Sequence, residues 1–249
     1  MNRRPKTEAL KWTNIPLVGL MILWFALLGT VSQGADLEEG FTPIFDGKTL
    51  EGWDGDPKYW RVEDGTITGQ TTKENPLNRN TFLIWSAGDV GDFELMLEYR
   101  IVDGNSGIQY RSWRDSEKWG KWGVGGYQAD IDSPKEPRWC GVLYEERGRG
   151  FLAKRGQKTV IDVDHNPEVV GTIGDPVELY SHIKFEAWNS YLIVAKGYHF
   201  VHKINGQVMI EATDNDTTAR RKRGLLAFQL HQGDPMKLQF RNLRLKRDE

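Results

Sequence analysis

The chain has 249 residues, 39% hydrophobic, 27% charged and 11% aromatic, which suits one globular domain and excludes a disordered, collagenous or multispan membrane protein. A formal charge of -2 leaves no basic footprint for nucleic acid, and a single cysteine, Cys140, excludes an intramolecular disulfide framework and a cysteine-based zinc site. Ten Trp and 27 Gly stand out, and that pairing of flat rings with tight turns points to β-structure and sugar-like ligands.

In chain order, Arg3, Arg4, Lys6 and Lys11 precede an apolar run from Leu17 to Leu28, followed by the small residues Gly29, Thr30, Ser32, Gly34 and Ala35. This basic, apolar, small order predicts a signal peptide over residues 1–35, with an uncleaved N-terminal anchor as the alternative. Export to the periplasm or the exterior is the expectation. Removing the leader through Gly34 leaves 29 basic residues against 34 acidic ones, a net charge of -5.

Residues 36–249 read as one domain. Five Asp-Gly or Asn-Gly pairs, at positions 46, 54, 64, 103 and 205, can each supply a hairpin turn. Two are framed by alternating strands: Trp60 to Glu63 with Thr66 to Thr68, and Phe200 to Ile204 with Gln207 to Ile210. Further strands are expected over Phe93 to Ile101, Gly107 to Trp113, Tyr127 to Ile131, His182 to Trp188, Tyr191 to Lys196, Gly224 to His231 and Met236 to Leu245. No segment past the leader carries a helical apolar stripe. Segments 114–125, 132–138, 145–157 and 163–180 read as long loops. The expected fold is all-β, a jelly-roll sandwich of two antiparallel sheets.

Alternation sorts side chains by face. Gln128 and Asp130 fall together opposite Tyr127, Ala129 and Ile131. Asn105, Gln109 and Arg111 oppose Ile108 and Tyr110, and Gln229 and His231 oppose Phe228 and Leu230. Three strands thus each present a polar face, which is either a solvated outer sheet or a hydrogen-bonding groove. Trp113, Trp119, Trp122 and Trp139 sit where rings could stack on a sugar, whereas Trp53, Trp60, Trp85 and Trp188 read as core. No Ser/His/Asp motif, phosphate loop, HExxH, calcium loop or glucanase Glu-x-Asp-x-x-Glu is present, so the usual carboxylate pair of glycoside hydrolysis is missing.

Several blocks in register carry a family resemblance: Gly40-Phe41-Thr42-Pro43-Ile44-Phe45-Asp46-Gly47-Lys48-Thr49-Leu50-Glu51-Gly52-Trp53, Asp92 to Leu95, Asn105 to Arg111, Gly126 to Ile131, Gly141 to Glu146, Asn205-Gly206, Leu230-His231 and Phe240 to Leu243. Together they resemble the 3-keto-disaccharide hydrolases, also described as 3-keto-glucoside 1,2-lyase and 3-keto-2-hydroxy-glucal hydratase domains. The resemblance implies a concanavalin A-like fold. It also implies a reaction that needs no second carboxylate: a C3 ketone acidifies the C2 proton, a base removes it, the C1 aglycone leaves, and water then adds.

On that resemblance, Asp130, His231 and Glu145 are the candidate base and acid, with His231 or Asp130 for proton abstraction. Gln128, Gln109, Asn105, Arg111 and Gln229 would orient hydroxyls or the enolate, and Trp139 and Arg147 would reach in from loops. The resemblance leads one to expect Gly-Tyr-Glu-x-Gln where this chain has Gly126-Tyr127-Gln128-Ala129-Asp130, so the carboxylate sits two residues along the same face. No cofactor is implied, although a divalent ion on Asp130, His231 and Glu145 could polarise the ketone. The partner is an oligosaccharide or glycoside. A non-catalytic carbohydrate-binding module and an ordinary glycanase are the competing readings.

Overall fold

The computed structural model describes residue 1, residues 39–133 and residues 138–248. The chain divides into two units, Met1–Asp36 and Leu37–Glu249. The expected leader lies, Met1 apart, outside the described residues, among which no helix is long and apolar enough to cross a membrane.

The second unit is built from two sheets. In the larger, the strands follow the order β12 (Pro167–Thr172), β11 (Gln157–Ile161), β15 (Gln207–Asp214), β14 (His199–Ile204), β13 (Asn189–Lys196), β6 (Asp92–Val102), β17 (Lys237–Asp248), β4 (Thr66–Gln70) and β3 (Trp60–Glu63), and β1 (Thr42–Pro43) pairs with β17. The smaller sheet runs β10 (Gly150–Ala153), β9 (Leu143–Glu146), β8 (Val124–Asp132), β7 (Asn105–Arg114), β16 (Leu225–Leu230), β5 (Thr81–Trp85) and β2 (Trp53–Asp54). Every pairing is antiparallel except β11 with β15, which is parallel. The architecture is the jelly-roll sandwich that turns and alternation predict.

Asp64-Gly65 and Asn205-Gly206 close the two framed hairpins, with positive φ at both residues of each pair, as a primed turn requires. Asp103-Gly104 has the same conformation, yet its flanking strands belong to different sheets, so it carries the chain across the sandwich. The strand expected over His182 to Trp188 does not form. Asp175 caps a short helix, α2 (Pro176–Ser181), by accepting from the Val177 and Glu178 amides at 2.8 and 2.9 Å. Asn189 then ties the following turns to the Lys184 and Ala187 backbone. The segments read as loops over 145–157 and 163–180 instead hold β10, β12 and α2, and the beginning of β11. β12 is a largely exposed edge strand whose Pro-Glu-Val-Val-Gly-Thr sequence does not alternate. A second helix, α1 (Ser116–Trp119), is a single turn.

The core lies between the sheets. Phe93, Leu95, Leu97, Tyr99 and Ile101 alternate inward along β6 and meet Ile108, Tyr110, Tyr127, Ala129 and Ile131 from β7 and β8. Aromatic rings join the layers: Phe228 stacks on Phe240 at 3.9 Å and Tyr127 meets Phe200 at 4.7 Å. Polar groups are built into this interior, His202 and Arg149 among them. His202 is fully buried with Nε2 against the Tyr110 hydroxyl at 3.0 Å, and burial pushes its imidazole down to about 3. Arg149, its side chain 9% exposed, binds Glu145 and Asp214 at 2.7 Å each and Asp216 at 3.1 Å. Tyr127 donates to the same Asp214 oxygen, Oδ2, at 2.5 Å.

Removing Arg149 would leave three buried carboxyls without their cation. Arg149→Leu is expected to lower the unfolding free energy by about 3–5 kcal/mol in chemical denaturation. His202 binds a proton more readily when unfolded than when folded. Stability should therefore fall as pH drops from the ordinary histidine range, about 6.5, towards about 3, and His202→Gln should make that decline shallower.

Candidate functional site

The face of the smaller sheet turned away from the core carries the polar residues. Register places Gly107 opposite Asp130, Gln109 opposite Gln128, Gln128 opposite Tyr144 and Gly126 opposite Glu146. On the other side of β7, Ala227 lies opposite Gln109, which brings Gln229 to the same face, and His231 follows just past the strand end. These positions converge on a cavity of about 290 Å³ lined by Asn105, Gln128, Asp130, Gln229 and His231, together with Trp139, Tyr144, Glu146 and Phe151.

Four side chains form a directed relay on the cavity floor. The Ser112 hydroxyl donates to Gln109 Oε1 at 2.6 Å, Gln109 Nε2 donates to Gln128 Oε1 at 2.6 Å, and Gln128 Nε2 donates to Asp130 Oδ1 at 2.5 Å. Gly107 makes room for it, since a Cβ there would collide with the Gln128 side chain. Asp130 is 4% exposed, and burial drives its carboxyl well above the usual range against the Gln128 hydrogen bond, with Asp132 and Glu146 pushing the same way as burial. Burial thus favours the protonated form of Asp130. Because Oδ1 accepts from Gln128, the acidic proton belongs on Oδ2.

Opposite, the Gln229 amide is fully buried, yet neither its oxygen nor its nitrogen has a partner. Such a group is costly unless a ligand or water completes it. The Nδ1 of half-buried His231 stands 2.5 Å from the Gln232 carbonyl oxygen. A carbonyl only accepts, so Nδ1 carries the hydrogen and Nε2 presents a lone pair.

One wall is aromatic. Trp139 stacks on Phe151 at 4.5 Å and Tyr144 meets Phe151 edge-on at 5.0 Å. Asp132 fixes the loop that carries Trp139, accepting from the Arg138, Trp139 and Cys140 amides at 2.9, 2.7 and 3.0 Å. Burial, Glu146 and Asp130 raise the Tyr144 hydroxyl. Glu146 in turn accepts from Asn80 at 3.3 Å, while Asn80 accepts from the Gln232 amide at 3.0 Å.

Of the sequence candidates, Asp130, His231, Gln128, Asn105, Gln229 and Trp139 come together, with Gln109 one step behind them in the relay. Glu145 does not join them. It pairs with Tyr127 across the ladder, points to the core side and is held by Arg149, while its neighbour Glu146 faces the cavity. Arg111 is also on the core side. Its φ of 47° and the register shift between Tyr110 and Trp113 mark a bulge that turns the guanidinium inward to Asp92 at 2.9 Å and to the Gly91 and Gly197 carbonyls. Arg147 lies over the Trp119 ring at 4.4 Å and lines another part of the face. The expected Trp cluster divides: Trp139 lines the cavity, Trp113 takes Arg221 on its ring, and Trp122 donates to Asp54. Tyr144, Glu146 and Phe151 were missed. Extending the alternation from Leu143, a core residue, would have put Tyr144 and Glu146 on the outer face.

Among the described residues, no group of three or more His, Cys, Asp or Glu is placed to hold a metal ion. With Glu145 facing the core, the ligand set Asp130, His231 and Glu145 is not assembled.

The sequence pattern of the 3-keto-alpha-glucoside-1,2-lyase-like domain matches residues 40–246. The chain belongs to this family. Membership in the 3-keto-alpha-glucoside-1,2-lyase-like family makes it a carbohydrate-related domain. Two solved structures from Parabacteroides distasonis ATCC 8503, each described as a "putative glycosyl hydrolase", are similar. One is 19% identical over 84% of this chain and 99% of its own, with a TM-score of 0.54. The other is 20% identical over 85% and 95%, with a TM-score of 0.52. A Bacillus subtilis protein of unknown function with a galectin-like fold matches at 11% identity over 80% and 90%, with a TM-score of 0.52. At these identities the likeness shows the fold. No curated protein sequence matches.

A carboxyl that folding forces to stay neutral lowers stability as pH rises above the unfolded carboxylate range. Asp130→Asn keeps the acceptor for Gln128 and removes that cost. The variant is expected to melt at a higher temperature than the parent at pH 7, with the gain shrinking towards pH 4.

Proposed function

We propose that the protein is an exported enzyme that cleaves 3-keto-glycosides at C1 by elimination, with hydration completing a net hydrolysis. The observation that carries this reading is the pairing, in one small cavity, of a carboxyl whose burial favours its protonated form with an imidazole whose Nδ1 is engaged by a carbonyl, which leaves Nε2 free to act as a base.

His231 Nε2 takes the C2 proton that the neighbouring ketone has acidified. The C2–H electrons form the C1–C2 double bond as the C1–O bond breaks, and Asp130 Oδ2 gives its proton to the departing oxygen. The Gln229 amide, which lacks a protein partner, donates to the C3 oxygen where enolate charge develops. Trp139 and Phe151 offer flat surface to the sugar ring. Water then adds across the new double bond. The Asp130 carboxylate removes a proton from water as its oxygen joins C1, and the imidazolium returns the proton to C2, which restores both groups. A wider cavity of about 800 Å³ shares Asn105, Trp139 and His231 with the first and leaves room for the aglycone.

The signal-like order of the first thirty-five residues supports export. A 3-keto-glucoside with a chromogenic aglycone tests the chemistry. Both His231→Ala and Asp130→Asn should lower kcat by about 100-fold or more. Deuterium exchange at C2 should vanish in His231→Ala but persist in Asp130→Asn, which keeps the base and loses the acid. Sugar binding with no aglycone release from any 3-keto substrate would instead make the protein a binding module. Release from an unoxidised glycoside would make it a glycanase, and loss of turnover on chelation would add a metal to the mechanism.

A further inference from the structure

A separate cavity of about 400 Å³ adjoins the catalytic one through Asn80, which lines it and also bonds Glu146 on the catalytic side. Its walls differ in charge from those of its neighbour. Lys58, Arg79 and Lys121 line it against one acidic residue, Asp56. Among the described residues, none of the three cations has a carboxylate partner. Lys58 lies over the Tyr59 ring at 5.3 Å and Lys121 over the Trp122 ring at 4.6 Å, contacts that leave their ammonium hydrogens available. Trp119 lines the cavity and bears Arg147 on its ring at 4.4 Å. Arg147 Nη1 is buried without a hydrogen-bond partner. Burial lowers this guanidinium, Glu146 at 3.7 Å and Asp115 oppose the lowering, and the Arg79 charge adds to it, which places a second guanidinium within electrostatic reach of Arg79.

This concentration is out of keeping with the rest of the protein, whose charge without the leader is -5. Cations without a carboxylate partner beside half-buried indole rings form a place where an oxyanion can be held while the sugar carrying it packs against them. We propose that the cavity walled by Lys58, Arg79, Lys121, Trp119 and Trp122 is a subsite for a sugar unit bearing an oxyanion, a carboxylate or a sulfate ester. The proposal rests on the preceding reading in one respect, that the adjoining cavity holds a saccharide. It extends that reading to acidic glycans as the substrate class.

Calorimetric titration of the purified protein tests it with three probes: cellobiose, cellobiose whose non-reducing unit is glucuronate, and cellobiose sulfated on that unit. The acidic probes should bind about tenfold more tightly than cellobiose at low salt. That preference should disappear in Arg79→Gln/Lys121→Gln and at about 0.5 M sodium chloride, with cellobiose binding unchanged. Preference for one acidic probe alone identifies the oxyanion. Equal affinity for all three, no binding of either acidic probe, or a preference that survives the double substitution overturns the proposal. Aglycone release from the 3-keto-glucoside, followed on the same preparations, should stay at the parent level in the double variant. Its absence in the parent would count against the catalytic reading and leave the subsite standing.

Discussion

A strand has two faces and a period of two, and the smaller sheet has to use both. Tyr127, Ala129 and Ile131 of β8 fill the sandwich core, so Gln128 and Asp130 must point the other way, under cover of loops and neighbouring side chains. All nine residues of β8 are buried in consequence. A polar group in such a place must find a partner or lower stability, and most find one another, which is how the Ser112, Gln109, Gln128 and Asp130 relay arises. Where the partners run out, at the Gln229 amide, the cavity opens.

The two buried acid systems of the molecule answer burial in opposite ways. On the core side, Arg149 gathers Glu145, Asp214 and Asp216, and with His165 beside it Asp216 is held well below the ordinary carboxylate range. On the groove side, no cation among the described residues accompanies Asp130, and burial raises its carboxyl well above the ordinary range. The first arrangement fastens the β9–β10 turn to the larger sheet and serves the fold. In the second, burial without a cation favours the form of the acid that still holds its proton, at a cost in stability.

Alternation was legible wherever the ladder stayed regular. It grouped Asn105 with Gln109, Gln128 with Asp130 and Gln229 with His231 on the polar faces of their strands, which the sheet brings together, and the framed hairpins fell where the Asp-Gly and Asn-Gly pairs put them. It failed at Arg111, because a bulge reverses the facing of everything beyond it and no residue type announces one. Glu145 and Glu146 show the complementary error: the adjacent acids are chemically alike, and only the register to Tyr127 and Gly126 says which one faces the core. The exposed edge strand β12 was hidden for a third reason, since a strand with little core to cover need not alternate.

The relay also bears on how this site could change over time. One acid and one amide occupy positions 128 and 130, and the order is the reverse of the Glu-x-Gln pattern that the resemblance leads one to expect. Either order leaves one group able to carry a proton and one able to steady it. A single substitution on the way between them would give two acids crowded together or two amides with no proton to move. The two positions are therefore coupled by the hydrogen bond between them, so that the residue type at one decides what the other has to supply.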